Sequence, residues 1–392
     1  MEKFKQIHLE KPNTLEKFLS EKERREIESL KITGVIGRKD FDKVIDGMCE
    51  VWGNYDDEED EFTPDYESAA ALKCLDMGEA TYVDGDDLPY FGFHTQLETC
   101  ILPKGIKRTI DGFEIETGLS ESEKLQTLVL PEGLKTAAGF QSCPNLTGLM
   151  LPEGLETIES FAFSGCESIN QMRIPASVRE IDGSCFAGCK IAAFDVDVDN
   201  PYFTAIDGVI YNKDLTTLVA FPSAYPNKHF VVPQGVQVIG DLAFMDSQID
   251  TIELPEGLTT IEGWAFQSST IRNIEIPDSV TTIGELAFRF CLELENVRLS
   301  NGLTEILEQT FNSCRNLKKI AIPASVKNIE NSAFHNNNLQ TIIMNGTLPP
   351  KIIYEKYYDC QEYGNIELLV PKDAVETYKK CSGWCSCKIK GV

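Results

Sequence analysis

The chain has 392 residues, 42% of them hydrophobic, and its 36 lysines and arginines against 62 aspartates and glutamates give a formal net charge of −26. This charge repels phosphate backbones and anionic lipid surfaces, which argues against nucleic acid as a partner. No stretch approaches the roughly 18–20 consecutive apolar residues of a spanning helix, so direct membrane insertion is not expected.

The first 96 residues carry helix and strand signals without a repeat. Asn13 is predicted to cap a helix, and Ser20 with Glu23 forms the capping-box pattern that opens a second helix. Another helix and two strands are predicted, at 39–52, 30–32 and 72–77. We interpret residues 1–96 as an N-terminal α/β capping region, because the open end of a repeat array needs an atypical unit over its core.

From residue 97 the sequence repeats with a fixed period. A proline, once replaced by serine, recurs at spacings of 21 to 23 residues, with one longer step of 58. Apolar residues recur around this anchor at −6, −3, −1, +3, +6 and +11, for example Leu317, Ile320, Ile322, Val326, Ile329 and Phe334 around Pro323. Such a period predicts a solenoid, in which each coil buries its apolar side against its neighbours.

Each coil is predicted to contain a short strand with one buried face, since apolar residues alternate at −3 and −1. The anchoring proline ends that strand because it has no N–H to donate. An Ala-Phe segment is expected to form a single turn of 3₁₀ or α helix that turns its phenylalanine inward. Polar residues at +1, +2, +4 and +5 are expected to face solvent.

Cysteine occupies one recurring slot of the coil. The chain has 13 cysteines, an odd number, and five lie in this slot: Cys143, Cys166, Cys189, Cys291 and Cys314. Ser247, Ser269 and Asn337 fill it in other coils, which indicates a small, weakly polar core position. Side chains that point inward in parallel have poor geometry for S–S bonds, so we expect reduced, buried thiols.

The step of 58 residues holds one coil plus an insert. Two β-rich runs, 209–212 and 217–221, flank a Lys-Asp turn, which predicts a hairpin within about 200–222 that projects from one side of the solenoid. The repeats are taken to extend over 97–347. Residues 348–392 are predicted to close the array with a strand, a helix over 372–380 and Trp384 covering the last coil.

The repeated unit Leu-x-x-Ile-x-Ile-Pro-x-x-Val-x-x-Ile, with Ala-Phe and Cys behind it, resembles the BspA-type leucine-rich repeats of bacterial cell-surface proteins. The match covers about 97–345, and Asp207 to Asn212 and Val370 to Trp384 resemble the hairpin and closing unit of that family. The resemblance implies a β-rich α/β fold, a right-handed leucine-rich-repeat solenoid with short helical or 3₁₀ turns, a hairpin insert and capping units at both ends. It also implies a secreted or surface location and adhesion to proteins or surfaces.

No catalytic residues are expected, either from the resemblance or from the motifs. The histidines His8, His94, His229 and His335 have no nucleophile or carboxylate at motif spacing, and phosphate-binding and nucleophile-elbow motifs are missing. We therefore predict no enzyme activity and no cofactor. No signal peptide is visible at the start of the sequence, so either the chain is cytosolic or a signal has been removed, and a cytoplasmic location stays open beside the surface one.

Two segments imitate metal sites. Asp195, Asp197 and Asp199 start like a calcium loop, but Asn200 and Ile206 stand where an EF-hand needs glycine and glutamate. A strand with its aspartates in water is the preferred interpretation, and the acidic run 56–61 is interpreted as a solvated loop. Cys381, Cys385 and Cys387 lack a fourth zinc ligand nearby, so thiols without metal are expected.

Candidate binding residues are therefore surface residues. The candidates are the threonine pairs at +4 and +5 and a set of tyrosines: Thr259, Thr260, Thr281, Thr282, Tyr202, Tyr211, Tyr354, Tyr357 and Tyr358. The favoured hypothesis is a non-enzymatic module that binds an unknown protein or glycan. A structural or self-associating spacer and an intracellular interaction scaffold remain as alternatives.

Overall fold

The computed structural model describes residues 3–49, 53–56, 61–64, 71–89, 96–109, 119–335, 337–353 and 366–392. The chain divides into two compact units, Met1–Thr204 and Ala205–Val392. Each unit is a stack of short, mainly parallel strands around an apolar interior. The boundaries of the three regions inferred from the sequence differ from this division and stay a prediction.

The first unit is built on one long parallel sheet in the order β1-β2-β5-β6-β7-β9, with smaller sheets β12-β10-β8 and β11-β13 and an antiparallel pair, β3 and β4. Its strands are β1 (Phe4–Leu9), β2 (Ser29–Ile36), β3 (Gly53–Asp56), β4 (Glu61–Pro64), β5 (Cys74–Tyr82), β6 (Thr99–Ile101), β7 (Thr127–Val129), β8 (Thr136–Ala137), β9 (Gly148–Met150), β10 (Thr157–Ile158), β11 (Gln171–Ile174), β12 (Glu180–Ile181) and β13 (Ala193–Val196). β14 (Phe203–Ile206) contains the boundary between the units.

Short helices pack beside the first strands. They are a 3₁₀ turn at Leu15–Lys17, α1 (Glu21–Glu26), α2 (Arg38–Asp40), a π turn at Phe41–Ile45 and α3 (Asp46–Cys49). The predicted capping box is confirmed, since Ser20 N donates to Glu23 Oε2 at 2.8 Å and Glu23 N to Ser20 Oγ at 3.4 Å. The prediction for Asn13 is wrong. Its backbone is left-handed, and its Oδ1 accepts a bond from Lys39 N at 2.7 Å, so it ties two segments together.

The second unit holds an eight-stranded parallel sheet in the order β17-β19-β21-β23-β25-β27-β29-β30, and shorter sheets that contain β16-β18-β20-β22 and β24-β26-β28. Its strands are β15 (Val209–Asn212), β16 (Thr217–Ala220), β17 (His229–Val231), β18 (Val238–Ile239), β19 (Thr251–Glu253), β20 (Thr260–Ile261), β21 (Asn273–Glu275), β22 (Thr282–Ile283), β23 (Asn296–Arg298), β24 (Glu305–Ile306), β25 (Lys319–Ile322), β26 (Asn328–Glu330), β27 (Thr341–Met344), β28 (Lys351–Ile353), β29 (Glu367–Val370) and β30 (Lys388–Gly391).

A column of phenylalanine rings fills the interior of the second unit, as the +11 position predicts. Phe244, Phe266, Phe288, Phe311 and Phe334 are fully buried. Successive ring centroids lie 4.8, 5.1, 5.3 and 5.7 Å apart, and the ring planes are within 10° of parallel. Each coil thus repeats the packing of the one before it, and the predicted continuous apolar core is confirmed.

The Ala-Phe segment forms single turns and does not continue into a helix. Ser247 N donates to Phe244 O at 3.1 Å within the coil, whereas Phe244 N donates to Ala265 O of the next coil at 2.7 Å. Leu242 and Asp246 have positive φ angles of 56° and 57°. These left-handed residues interrupt the right-handed run, so alternate N–H groups bond locally and across coils.

The predicted hairpin exists, but it does not project. β15 and β16 pair antiparallel, and β16 also pairs in parallel with β18, so the hairpin is part of a sheet of the second unit. Val209, Ile210 and Tyr211 are buried. The hairpin lies against the stack because its apolar side chains occupy the interior, as the strands of an ordinary coil do.

The C-terminal segment closes the second unit in the predicted manner. A 3₁₀ turn at Lys372–Ala374 leads into α4 (Val375–Lys379), and β30 pairs with β29. Trp384 is fully buried, and its indole Nε1 donates to Pro350 O at 2.8 Å. The hydroxyl of Tyr378 donates to Gly346 O at 2.9 Å, so the last coil is covered by packing and by satisfied polar groups.

Candidate binding surface

The outer side of the sheet β17–β30, which we call the strand face, presents side chains in register. A strand points alternate residues to opposite sides, so Thr251 and Glu253 of β19 face outward while Ile252 between them is buried. In the next strand Asn273 and Glu275 take the same places, since Thr251 pairs with Asn273. The strand face therefore carries two straight rows of exposed side chains, at −4 and −2 from the anchoring prolines.

A groove of about 490 Å³ lies on the strand face across β17, β19, β21 and β23. Most of its polar lining comes from the two rows: His229, Thr251, Glu253, Asn273, Glu275 and Arg298. Glu256, which follows the anchoring Pro255, also lines it. The groove is open to solvent, and four coils contribute to it. A ligand of several residues or sugar units would therefore meet side chains from all four.

The ring of His229 is held in place at one end of the groove. Its Nδ1 lies 2.9 Å from Thr251 Oγ1, and its Nε2 lies 3.3 Å from Glu253 Oε1. The imidazole thus bridges the two outward side chains of the neighbouring strand. Its partners are a hydroxyl and a carboxylate on the surface, which orient the ring toward the groove.

Arg298 does not neutralise the glutamate beside it. It pairs in register with Glu275, yet its Nη2 donates to Asp278 Oδ1 and its Nη1 to Ile276 O, both at 2.9 Å. The side chain of Asn301 first, and then Arg298, hold the pKa of Asp278 below its usual value. The guanidinium of Arg298 therefore binds Asp278 and not Glu275.

Like Glu256, Glu275 is a carboxylate of the groove without a partner among the described residues. It makes no hydrogen bond or ion pair with the residues that the structure describes. Glu253 occupies the same row in the adjacent strand, and like charges on neighbouring strands destabilise a sheet. The groove thus offers uncompensated negative charge to a cationic group.

The four threonines predicted as contacts lie together on a different sheet. Thr260 of β20 pairs in register with Thr282 of β22, so they form a row. Thr259 and Thr281 are exposed, and the hydroxyl of Thr259 donates to Gln237 O at 3.1 Å. None of the four lines the groove. Their role in binding stays a prediction.

The predicted tyrosines have different environments. Tyr202 is 49% exposed, as a contact residue would be. Tyr211 is 1% exposed, and burial raises its pKa, so its assignment to the binding surface is wrong. The cause is that β15 joins the stack and does not project from it. Tyr354, Tyr357 and Tyr358 lie outside the described residues.

The carboxylates that resemble a calcium loop are engaged by an arginine. Arg173 forms ion pairs with Asp195, at 3.9 Å, and with Asp197, and Asp197 Oδ1 also accepts a bond from Asp199 N at 2.9 Å. Cys381 is half-buried, Cys385 exposed and Cys387 buried. Within the described ranges, no group of three or more histidine, cysteine, aspartate or glutamate side chains is placed to hold a metal ion.

The cysteines of the repeated slot are free and buried, as predicted. Four of the five thiols donate to a phenylalanine carbonyl of the preceding coil, at 3.0 to 3.2 Å: Cys166 to Phe140, Cys189 to Phe163, Cys291 to Phe266 and Cys314 to Phe288. The thiol of Cys143 donates to Leu119 O at 3.0 Å. Burial raises the pKa of Cys189 and of Cys291 to about 12, which keeps both protonated. These thiols are structural groups and have little nucleophilic character.

The residues of the strand face are not among the candidates from the sequence. The threonine candidates lie after the anchoring proline, whereas the strand-face residues lie before it. A signal was present, because buried residues at −3 and −1 require exposed ones at −4 and −2. Aligning the coils on their anchors, Pro255, Pro277 and Ser300, places Glu253, Glu275 and Arg298 at the same position. However, polar side chains are common at the outward positions of a strand, so this pattern alone does not indicate a binding site.

Short parallel strands stacked by a repeated Ala-Phe turn define a leucine-rich-repeat solenoid. The sequence profile described as BspA type Leucine rich repeat region matches the chain in six copies, over residues 136–207 and 217–340. The chain therefore belongs to the BspA-type leucine-rich-repeat family. The comparison with curated proteins finds no match.

The chain is similar to several solved structures. The pneumococcal vaccine antigen PcpA is 17% identical, with 95% of this chain and 82% of that one covered and a TM-score of 0.50. A leucine-rich repeat protein from Eubacterium ventriosum is 18% identical over 86% of this chain and 87% of its own, with a TM-score of 0.49. One from Bacteroides capillosus is 30% identical over 37% of this chain and 99% of its own, with a TM-score of 0.27. Among the described residues, no helix has the length and apolar character to cross a membrane.

Proposed function

We propose that this protein is a non-enzymatic binding module of the bacterial cell surface, which captures a protein or glycan ligand on the groove of the strand face. The observation that carries the proposal is the register of the second unit's sheet. It aligns Glu253, Glu275 and Arg298 in one row along a groove of about 490 Å³. The family to which the chain belongs supports the surface location and the adhesive role.

The ligand is bound by a rigid surface on which each coil contributes a small part of the contact area. Adjacent strands lie about 4.8 Å apart, so one coil offers a ligand little area, and a stable interface needs roughly 800 Å² on each partner. The stacked core holds neighbouring coils in fixed register, which removes the entropic cost of ordering separate contacts. Affinity then grows with the number of coils that a ligand spans.

The free carboxylate of Glu275 favours ligands with positive charge at that point. The nearest guanidinium, on Arg298, is bound to Asp278, and the glutamate in the adjacent strand adds repulsion that a cation would relieve. A lysine or arginine of a protein, or an amino sugar, carries such a charge. Electrostatic complementarity of this kind acts on specificity and association rate.

The experiment is a binding screen followed by variants of the groove. The purified 392-residue chain is tested against arrays of host matrix proteins, glycans and bacterial surfaces. For a ligand found there, Glu275→Lys is expected to weaken binding at least tenfold. Glu285→Lys, an exposed glutamate that does not line the groove, makes the same change in charge and is expected to leave binding within twofold.

The row of threonines supplies the alternative surface. If Thr282→Lys abolished binding and Glu275→Lys did not, the binding surface would be the predicted threonine row and the groove would be dismissed. An array without any ligand would count against the binding module as a whole.

A further inference from the structure

Three cysteines lie within seven residues of the C-terminal segment that closes the second unit. Cys381, Cys385 and Cys387 follow α4 and precede or adjoin β30. Their exposures differ, since Cys385 is exposed, Cys381 is half-buried and Cys387 is buried. Unlike the buried thiols of the repeated slot, Cys385 is therefore open to a reagent in solution, and it has two further thiols close to it in the chain.

The backbone brings Cys381 and Cys385 together in one turn. Cys385 N donates to Cys381 O at 3.1 Å, which is the i to i+4 bond of a single helical turn, and Trp384 N donates to the same oxygen at 3.2 Å. Residues four apart in such a turn have their Cβ atoms about 5–6 Å apart. A disulfide needs about 3.5–4.5 Å between the Cβ atoms. A bond between these two cysteines therefore requires a shift of only about 1–2 Å.

Cys387 is less suited as the partner of Cys385. Its side chain belongs to the apolar core of the second unit, whereas Cys381 packs only partly against that core. Burial chiefly raises the pKa of Cys387, to about 11, so its thiol stays protonated. The thiol of Cys381 donates at 3.5 Å to the carbonyl of the exposed Ser382, within the surface turn. Cys381 can thus move toward Cys385 without opening the core, and Cys387 cannot.

We propose that Cys385 and Cys381 form a reversible thiol–disulfide site that reacts with low-molecular-weight disulfides. The thiolate of Cys385 attacks one sulfur of the reagent, which forms a mixed disulfide with one half of it and releases the other half as a thiolate. The thiolate of Cys381 then attacks Sγ of Cys385, releases the second half and leaves a disulfide between the two cysteines. Two protein thiols are oxidised, one reagent disulfide is reduced to two thiols, and the two protons pass to these products.

The geometry of the turn makes this disulfide easy to reduce. Drawing the two Cβ atoms together deforms the turn that carries Trp384, whose buried indole donates to Pro350 O at 2.8 Å. Strained or exposed disulfides have more oxidising reduction potentials than structural ones and are the labile kind. An excess of a reduced thiol should therefore restore both cysteines.

The two steps are expected to differ in rate. Burial, and after it the neighbouring Cys385, raises the pKa of Cys381, so little of this thiol is ionised when the second step begins. The thiolate is the attacking species in disulfide exchange. The mixed disulfide of Cys385 should therefore appear first and then convert into the bond with Cys381.

Lysines around the cysteines favour an anionic reagent. Residues 372–390 contain five lysines and two acidic residues, in a chain whose net charge is −26. Lys380 directly precedes Cys381, and Lys388 directly follows Cys387. Positive charge attracts anions to a site and raises the rate of association. Glutathione disulfide, which carries carboxylates, is therefore a suitable probe.

The test is thiol exchange on the native 392-residue chain, followed by peptide mapping. The reduced protein is incubated with excess glutathione disulfide at about pH 8, where thiolate is present, and the remaining thiols are alkylated in denaturant. Cleavage after lysine releases residues 381–388, one peptide that contains all three cysteines. This peptide is expected to carry a disulfide between Cys381 and Cys385 and an alkyl group on Cys387. Excess reduced glutathione, added before alkylation, should restore both thiols.

Single variants separate the roles of the three cysteines. Cys381→Ser lacks the second attacking thiol, so the mixed disulfide of Cys385 with glutathione is expected to accumulate. Cys385→Ser lacks the exposed thiol, and oxidation of the peptide is expected to be at least tenfold slower. Cys387→Ser is the matched control, because it removes the third thiol of the same peptide, and it should form the disulfide within twofold of the native rate.

The proposal is overturned if the native chain takes up no glutathione at Cys385, or if Cys385 forms a bond with any cysteine other than Cys381. It is also overturned if Cys387→Ser reacts as slowly as Cys385→Ser, or if reduced glutathione does not restore the thiols. Oxidation of the buried Cys291 as fast as Cys385 would show that the chain reacts through unfolding, which has the same consequence. None of these cysteines lines the groove, so the outcomes are separate from the ligand test.

Discussion

Cysteine and serine share one slot of the coil because both are small, weakly polar side chains that fit the same buried place. Ser269 and Cys291 occupy this slot in successive coils, and their Oγ and Sγ atoms lie 3.4 Å apart. The thiol of Cys291 donates to Phe266 O at 3.0 Å. The sequence was sufficient to predict a buried, reduced thiol. It did not reveal the acceptor, which belongs to the preceding coil and depends on how the coils stack.

Replacing Cys291 tests this hydrogen bond. Cys291→Ala should lower the free energy of unfolding by about 1–2 kcal/mol, because it removes a buried donor and leaves a small cavity. Cys291→Ser keeps the donor and should cost less than Cys291→Ala. Urea denaturation followed by circular dichroism measures both, with the exposed Cys385→Ser as the control that should change little. Equal stability of Cys291→Ala and the native chain would rule out a contribution from the thiol.

At the scale of elements, features set by neighbouring residues were predicted correctly. The positions of elements that depend on residues distant in the chain were not. The capping box at Ser20 is complete within four residues and was found correctly. The hairpin was recognised from its turn, but its position in the sheet depends on β18, which follows it in the chain. Asn13 was misassigned for the same reason, since its partner is the backbone of Lys39.

The stability of α1 should depend on acid pH through Glu23. The carboxylate accepts bonds from Lys5 Nζ at 2.6 Å and from Ser20 N at 2.8 Å, and chiefly the bond from Lys5 lowers its pKa from 4.5 to about 2. Because the pKa is lower in the folded chain, the stabilisation is complete above pH 4.5 and is lost as the pH falls toward 2.

Amide exchange of Arg24 and Ile27, corrected for intrinsic rates, measures this effect. In the native chain, protection of these amides should fall between pH 5 and pH 2, since both donate to carbonyls of the first turn. In Glu23→Gln the protection should be weaker and independent of pH in this range. Identical profiles for the native chain and the variant would show that the Glu23 carboxylate does not hold the helix.

For the whole molecule, the repeat was enough to predict the stack of coils. The period places Phe266, Phe288 and Phe311 over one another, and the structure has them there. The groove was not predicted, because a carboxylate without a partner can be recognised only from its neighbours in space. Glu275 looks like any solvated glutamate until its register with Arg298, and the commitment of that arginine to Asp278, are known.

The net charge of −26 predicts that salt stabilises the chain. Like charges along the stack repel, and the screening length falls to about 10 Å at 0.1 M salt. Exposed ion pairs between coils, such as Lys135 with Glu156 at 2.8 Å, weaken in salt but contribute little each. The Tm should therefore rise as sodium chloride is raised from about 20 to about 300 mM. A lower Tm at high salt would mean that the ion pairs outweigh the repulsion.

The near-identical spacing of the phenylalanine rings makes the coils interchangeable. Phe288 meets Phe266 and Phe311 in almost the same geometry, at 5.1 and 5.3 Å with planes 4° and 5° apart. Removing or duplicating one whole repeat would leave matching ends that join without a new interior. In evolution, such a chain can change its length by whole coils. Its surface residues, and with them its ligand specificity, can diverge while the residues of the apolar core stay constant.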